Sequence, residues 1–371
     1  DISPLRTLSE DILAQPLHLF EPPQAQQYRV RQTGASRFPG FNEFRGENEP
    51  YGAMITFSLN IEGLPHPKEE EERQRKQAER ERKRKEAQER GAAGSATEEE
   101  APPGEDEKET EQKEPKVQIK IADSGGETLR TFEAPAQLGL NRAVWDLRRD
   151  VFKEPERERI FRDEPRGPEV PPGTYTVTLK YQDLAASRTI DVAPDPRLDI
   201  PPEERQARWQ VVLRAGGVQE TVTEAIQRIR QTRSDIDTVL SKVKVLEERE
   251  DDDAEDESPY KDLKKQAEQV QKGLTELEKR LWTPPKTKGI VADTSVWDKL
   301  EIARWFLDSS WDLPTAAQLA YLERAETLLE EVLRSYNEFF AEEVGEFRRG
   351  VSKARIELLP ETVALSLETS D

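Results

Sequence analysis

Along the chain the spacing of apolar residues changes once. Ala53, Ile55, Phe57 and Leu59 alternate with Met54, Thr56, Ser58 and Asn60, the period of two expected of a strand with one buried face. The same alternation returns at Val117, Ile119 and Ile121, at Tyr175, Val177 and Leu179, and at Ile190 and Val192. Leu129 and Phe132 mark a strand in ETLRTFEAP, and Leu140, Val144 and Leu147 another in GLNRAVWDLRRD. In that last stretch Trp145 and Val144 lie on opposite faces, so one must turn to the core. Gly and Pro turns separate the runs, and six or seven short strands so divided predict an antiparallel sandwich.

From Pro201 the period becomes helical. Val222, Ile226, Ile229, Ile236, Leu240, Val243 and Leu246 lie mostly three or four apart within 203–249, with Gly216-Gly217 an expected break or kink. Tyr260, Leu263, Ala267, Val270, Leu274, Leu277 and Leu281 follow a three-four heptad without a miss. Ser258 is an expected cap there, with Pro259 at the first helical position. Trp297, Leu300 and Phe306 predict a short third helix, and WDLPTAAQ a stop and a new start. Leu322, Leu329, Val332, Tyr336, Phe339 and Phe347 predict a fourth. Short connections make neighbouring helices antiparallel, hence an expected bundle of three or four.

Some stretches carry neither period. Residues 1–50 are rich in Pro, Gln, Arg and Gly after an apolar start, and read as an extended linker from a preceding domain. The opening Asp1-Ile2-Ser3-Pro4-Leu5 reads like the interior of a longer polypeptide, a fragment or a processed product. Residues 64–115 interrupt the strands with a charged helix-forming run and a Gly-, Pro- and Glu-rich low-complexity stretch. Residues 351–371 form a tail with one more extended segment. The expected organisation is a linker over 1–50, an Ig-like β-sandwich over 51–197 interrupted at 64–115, a helical bundle over 198–350 and the tail.

Composition narrows the function. Of 371 residues 34% are hydrophobic and 36% charged, and 76 acidic against 56 basic residues leave a net charge of −20. Such a surface repels a phosphate backbone, so nucleic acid is not an expected partner. The chain has no Cys, which excludes disulfides, thiolate metal sites and a Cys nucleophile. No apolar stretch approaches the roughly 20 residues of a membrane span.

Candidate chemistry is thin. The two histidines, His18 and His66, lie outside the predicted core elements, so neither a histidine base nor a zinc triad is expected. ADSGGET resembles the Asp-Ser-Gly-Gly of trypsin-like proteases, but flanking strands make Ser124-Gly125-Gly126 a hairpin turn. With 76 acids, paired carboxylates at glycosidase spacing carry no specificity. The acidic run from Asp251 to Asp256 lacks the glycine and ligand spacing of an EF-hand, and reads as a solvated loop over 250–257. Trp209, Trp282, Trp297, Trp305 and Trp311 permit a sugar platform when exposed, yet their helical setting predicts that they cap a bundle core. No catalytic, cofactor-binding or metal-binding residue is therefore assigned.

Gly125, Arg130, Gly139, Asn141, Trp145, Asp146 and the run Pro172-Gly173-Thr174-Tyr175 occur in an order that resembles the FlgD-type Ig-like domain. More broadly, DISPLR, LHLFEPPQAQQYR, the Ig-like stretch, DPR at 195–197 and PTAAQ resemble the carboxy-terminal region of large bacterial BNR-repeat, sortilin-like β-propeller proteins. The long charged insertion and the acidic loop depart from that pattern. The resemblance implies an extracytoplasmic bacterial protein and, for this segment, a non-catalytic accessory or protein-interaction module without cofactors. Its implied partner is the amino-terminal propeller of the same or a cleaved polypeptide, with other envelope proteins possible. Two alternatives remain. One is the accessory half of a glycoside-acting hydrolase whose active site lies in the propeller, as the family's glycosyl hydrolase label implies. The other is a self-associating stalk through the seam from Tyr260 to Leu281.

Overall fold

A computed structural model describes residues 2–29, 50–68, 115–156, 165–248, 260–282 and 295–356. The expected cap at Ser258 and Pro259, the acidic loop, nearly all of the charged insertion and most of the tail lie outside these residues. The chain divides into a β unit, Asp1–Asp150 with Arg166–Asp199, and a helical unit, Val151–Pro165 with Ile200–Asp371. It is a mixed α and β protein whose strands pair antiparallel with one exception.

The β unit opens with two short helices, α1 (Ser3–Thr7) and α2 (Glu10–Leu13), and two short strands, β1 (Leu17–Leu19) and β2 (Ala25–Gln26). Thus residues 2–29, expected to be extended linker, contribute regular elements. Then come β3 (Ala53–Leu59), β4 (Lys116–Ala122), β5 (Thr128–Pro135), β6 (Gly139–Trp145), β7 (Gly173–Tyr181) and β8 (Leu184–Ala193). One sheet has the order β1-β3-β6, the other β2-β8-β7-β4-β5. Among the described strands only β2 runs parallel to its neighbour, β8.

The alternation read from the sequence sets which faces are dry. Val117, Ile119, Ile121, Val177 and Leu179 are fully buried, whereas Gln118 and Lys120 between them are exposed. Strand β3 departs from it: Thr56 and Ser58, expected on a wet face, are buried. This is the middle strand of its sheet, between β1 and β6, with α2 alongside.

The DPR stretch ties the amino-terminal segment down. The Asp195 carboxylate, 1% exposed, accepts from Arg197 N, Nε and Nη2 at 3.0, 2.9 and 2.6 Å and from Arg29 N at 3.4 Å. Arg197 Nη2 also donates to Arg29 O at 2.8 Å. Hydrogen bonding from the Arg197 side chain holds the Asp195 carboxyl well below the usual carboxylate range. A lowered folded pKa means that acid protonates the unfolded chain first. The resulting stability is therefore present above about pH 4, the ordinary aspartate value, and lost as pH falls through the folded value. Asp195→Asn should lower the urea midpoint at neutral pH and make its decline between neutrality and acid shallower, as read by a pH series of unfolding curves.

The helical unit contains α3 (Pro202–Glu247), α4 (Lys261–Leu281), α5 (Val296–Asp308), α6 (Ala316–Ala341) and α7 (Glu343–Lys353). One apolar core joins Val222, Ile226, Ile229, Ile236 and Val243 of α3 to Leu322, Leu329 and Val332 of α6, with Trp297 and Leu300 of α5. All of the α4 seam from Leu263 to Leu281 is buried in it. Ser295 and Thr315 form capping boxes with Asp298 and Gln318, which start α5 and α6 at their first turns. Phe347, expected in the fourth helix, belongs instead to α7, which begins where α6 ends at Ala341.

The expected break at Gly216-Gly217 is not there: α3 is continuous. A Cβ on Gly216 would lie 2.0 Å from the Phe152 ring, so the glycine makes room for an aromatic side chain and does not interrupt the helix. Phe152 belongs to Val151–Pro165, a stretch expected inside the β domain. Gln219 Nε2 donates to Phe152 O and Lys153 O, both at 3.0 Å, Thr223 Oγ1 donates to Lys153 O at 3.0 Å and Arg230 Nη1 to Glu156 O at 3.0 Å. These bonds explain why residues 151–156 lie against a helix: their carbonyls have no strand partner in the described residues, and α3 supplies donors.

Candidate functional site

The stretch with the densest chemistry, GLNRAVWDLRRD, is a structural corner. Trp145 is 1% exposed at the end of β6, its ring edge-on to Tyr175 of β7 at 5.2 Å between centroids. Its Nε1–H donates to Arg148 O at 2.8 Å. Val144 faces the other way and is half-buried. Leu147 is fully buried with φ at 56°, a left-handed backbone that costs a non-glycine residue about 1–2 kcal/mol. It reverses the chain so that Arg149 N reaches Pro168 O and Asp150 N reaches Leu129 O.

Asp150 then seals part of the outer edge of β5, where its Oδ2 accepts from Thr131 N at 3.1 Å and its Oδ1 lies 3.5 Å from Arg130. Capping an edge in this way removes unpaired backbone groups that another strand could use. Asn141 acts similarly on a turn. Its side chain bonds Gln137 N, Gln137 O and Gly139 O at 2.7–2.9 Å and fixes the connection between β5 and β6. The tryptophan, the acid and the asparagine of this stretch are thus occupied in holding strands.

The other candidates are dispersed. Ser124 sits in the β4–β5 turn, where Asp123 Oδ1 accepts from Gly125 N and Glu127 N at 2.9 and 2.8 Å and Gly126 adopts φ 82°. His18 is in β1, bonded to Gln15 Oε1 at 3.0 Å and edge-on to Phe20. Burial, then the nearby Arg188 charge, lowers its pKa and favours the neutral ring. His66 accepts from Lys68 N at 3.3 Å. Among the described residues no three His, Asp or Glu are grouped to hold a metal ion. No helix of the described residues is long and apolar enough to cross a membrane.

Among the described residues the β unit has a cleft of about 270 Å³ beside β2, bounded by Pro23, Gln24, Tyr28, Pro50, Met54 and Val144. The described lining is apolar and amide-bearing with the Tyr28 phenol, surroundings suited to receiving an apolar group. Tyr28 packs edge-on to Tyr51 at 5.0 Å. Burial, and then the hydrogen bond that Tyr51 donates to Glu169, keep the Tyr51 phenol protonated far above neutrality.

In the helical unit the expectation for the tryptophans fails at one position. Trp209, Trp282, Trp297 and Trp311 are 3–7% exposed, but Trp305 is 70% exposed. The buried stripe of α5 runs through Val296, Trp297, Leu300, Ala303 and Leu307, which leaves position 305 on the opposite face. Counting spacing against Trp297 and Leu300 would have flagged it.

No family model matches this chain, and no curated protein or solved structure does either.

Proposed function

We propose that the β unit is an Ig-like sandwich and the helical unit an antiparallel bundle, and that the chain is a non-catalytic accessory and protein-interaction module of an exported BNR-repeat, sortilin-like propeller protein. The observation that carries the reading is the strand order. With the first strand divided between the two sheets, β1-β3-β6 and β2-β8-β7-β4-β5 read as A-B-E and A′-G-F-C-C′ of an Ig-like topology. Tyr175, at the start of β7, donates from its hydroxyl to Pro171 O at 2.6 Å, as the tyrosine corner of such domains does. Trp145 and Tyr175 meet from strands of different sheets, consistent with a shared core.

Function is argued separately, since a fold alone does not supply it. The use of Asn141, Trp145 and Asp150 as strand fastenings, and the apolar cleft formed by described residues beside β2, support binding over turnover. Hydrolysis of a glycoside, on this reading, is a matter for the propeller. A stalk assembled through the α4 seam would need side chains that are already packed inside the unit, from Leu263 at 5% to Leu281 at 0% exposure.

Intact-mass analysis and light scattering on the native protein test the proposal. It predicts that residues 1–371 are recovered from an extracytoplasmic fraction, joined or tightly bound to a large amino-terminal propeller. Recovery of the chain alone as a monodisperse oligomer would remove its support.

A further inference from the structure

We propose that the outer edge of β6 receives an extended segment of a partner protein, which adds as a further antiparallel strand and sets an apolar side chain into the cleft beside Val144. The hydrogen-bond register identifies that edge. Phe20 N donates to Thr56 O at 3.1 Å and Asn60 N to Pro16 O at 3.0 Å, on either side of the pairing in which His18 faces Ser58. In an antiparallel ladder each residue turns its N–H and C=O to one side only, so Thr56 and Ser58 bond to β1, and Ile55 and Phe57 to β6. Their partners in β6 are Ala143 and Asn141, which leaves Leu140 and Val144 turning their backbone groups away from the sheet. Among the described residues no backbone group meets those two there.

The other edges of the two sheets are short or covered. Strands β1 and β2 have three and two residues, and Asp150 occupies the outer edge of β5 at Leu129 O and Thr131 N. Strand β6 has seven residues, no proline and an unbroken register with β3. Those are the properties of an edge that can template another strand.

Donor and acceptor pairs that recur at every second residue, about 7 Å apart, are the complement of an extended main chain. Side chains decide what that chain carries. The residue added opposite Val144 shares its face, where Val144 already stands beside Met54 across the β3–β6 pairing. Both line the cleft, together with Pro23 and Tyr28, which is 41% exposed. At about 270 Å³ the cleft is smaller than the roughly 300–1,000 Å³ of sites that hold a whole small ligand, and suits one side chain projecting from a strand. Four residues back, Leu140 is 37% exposed on the same face and offers a second apolar contact. The matching segment therefore carries apolar residues at alternate positions. A second copy of this chain, paired here about a two-fold axis, would set Arg142 opposite Arg142, a like-charge contact. The edge is offered in this way whichever larger protein the chain serves.

The test is titration of the full chain with an acetylated and amidated heptapeptide of alternating threonine and leucine, followed by calorimetry and by residue-resolved amide hydrogen exchange. Binding should slow exchange at Leu140 and Val144, whose N–H groups it covers, and leave Asn141 and Ala143, which already bond to β3, unchanged. N-Methylation of the leucines, which removes the donors that face β6, should abolish binding, and N-methylation of the threonines should not. Leu140→Pro deletes one outward N–H at an edge position, where proline is tolerated, and should weaken binding about fivefold. Val144→Lys puts a charge at the cleft and should weaken it about tenfold. Its side chain points away from the sandwich core, so this second variant should melt like the parent and decides the matter even if Leu140→Pro does not fold. Absence of binding, binding that ignores Val144→Lys or leucine N-methylation, or a dimer of the peptide-free chain that Val144→Lys dissolves would each overturn the proposal.

Discussion

Trp145→Ala is expected to destabilise the β unit by about 3–5 kcal/mol, the range for deleting a buried aromatic side chain. The indole is 1% exposed, carries the ring contact with Tyr175, and uses its N–H to bind the Arg148 carbonyl within the corner that Leu147 turns. Removing it opens a cavity and takes a donor from a part-buried carbonyl at the same time. Hydrogen-exchange mass spectrometry separates this from general unfolding: protection should fall across β3, β6 and β7 while the buried seam of α4 keeps its own. Trp145→Phe should recover part of the loss, since the ring returns without its donor. Loss of protection in α4 equal to that in β6 would show that the indole supports more than the β unit.

Gly216→Ala should destabilise the helical unit by about 1–3 kcal/mol, the cost of overfilling a packed site, although Ala is the better helix former by about 1 kcal/mol. The reason is Phe152, 6% exposed, whose ring occupies the place of the new methyl group. If the ring is expelled, the bonds from Gln219 to the Phe152 and Lys153 carbonyls are strained with it. In a Phe152→Ala background the sign should reverse, and Gly216→Ala should then stabilise by roughly 0.5–1 kcal/mol. Urea unfolding of the four proteins in this cycle gives the coupling directly, and its expected size is about 2 kcal/mol or more. Equal effects in both backgrounds would mean that the ring and the glycine do not meet.

How much of the fold is legible in the sequence depends on the length of each signal. The β4 and β7 strands and the α4 seam can be read because a period of two or three-four repeats over several residues, and the face it names is the buried one. Strands β1 and β2, three and two residues long, have no room for a period. They are defined by partners far along the chain, Leu59 back to Phe57 for one and Val192 to Ala193 for the other. Gly216-Gly217 suggests a break that is absent for a different reason: a glycine pair has the same appearance whether a helix stops there or another residue approaches, and Phe152 is more than sixty positions away. The Trp305 face is hidden for want of a subtraction. Its aromatic character suggests core, and only its offset from Trp297, Leu300 and Leu307 places it on the wet side of α5. Leu147 gives no warning at all, because a branched apolar residue in left-handed backbone is held by its surroundings and not by its own preference.

The lodging of residues 151–156 against α3 bears on how such a protein can be inherited. The chain passes between its two units three times, at 150/151, 165/166 and 199/200, and on the middle excursion it leaves Phe152 in a notch that only glycine at 216 provides. A β-domain that recombination could move as a cassette would have its ends in one place and nothing of itself buried elsewhere. This one cannot be excised at residue 199 without exposing the aromatic ring and carbonyls that α3 receives. The two halves are therefore expected to travel, duplicate and diverge as a single heritable block, with position 216 tolerating nothing larger than glycine wherever position 152 stays aromatic.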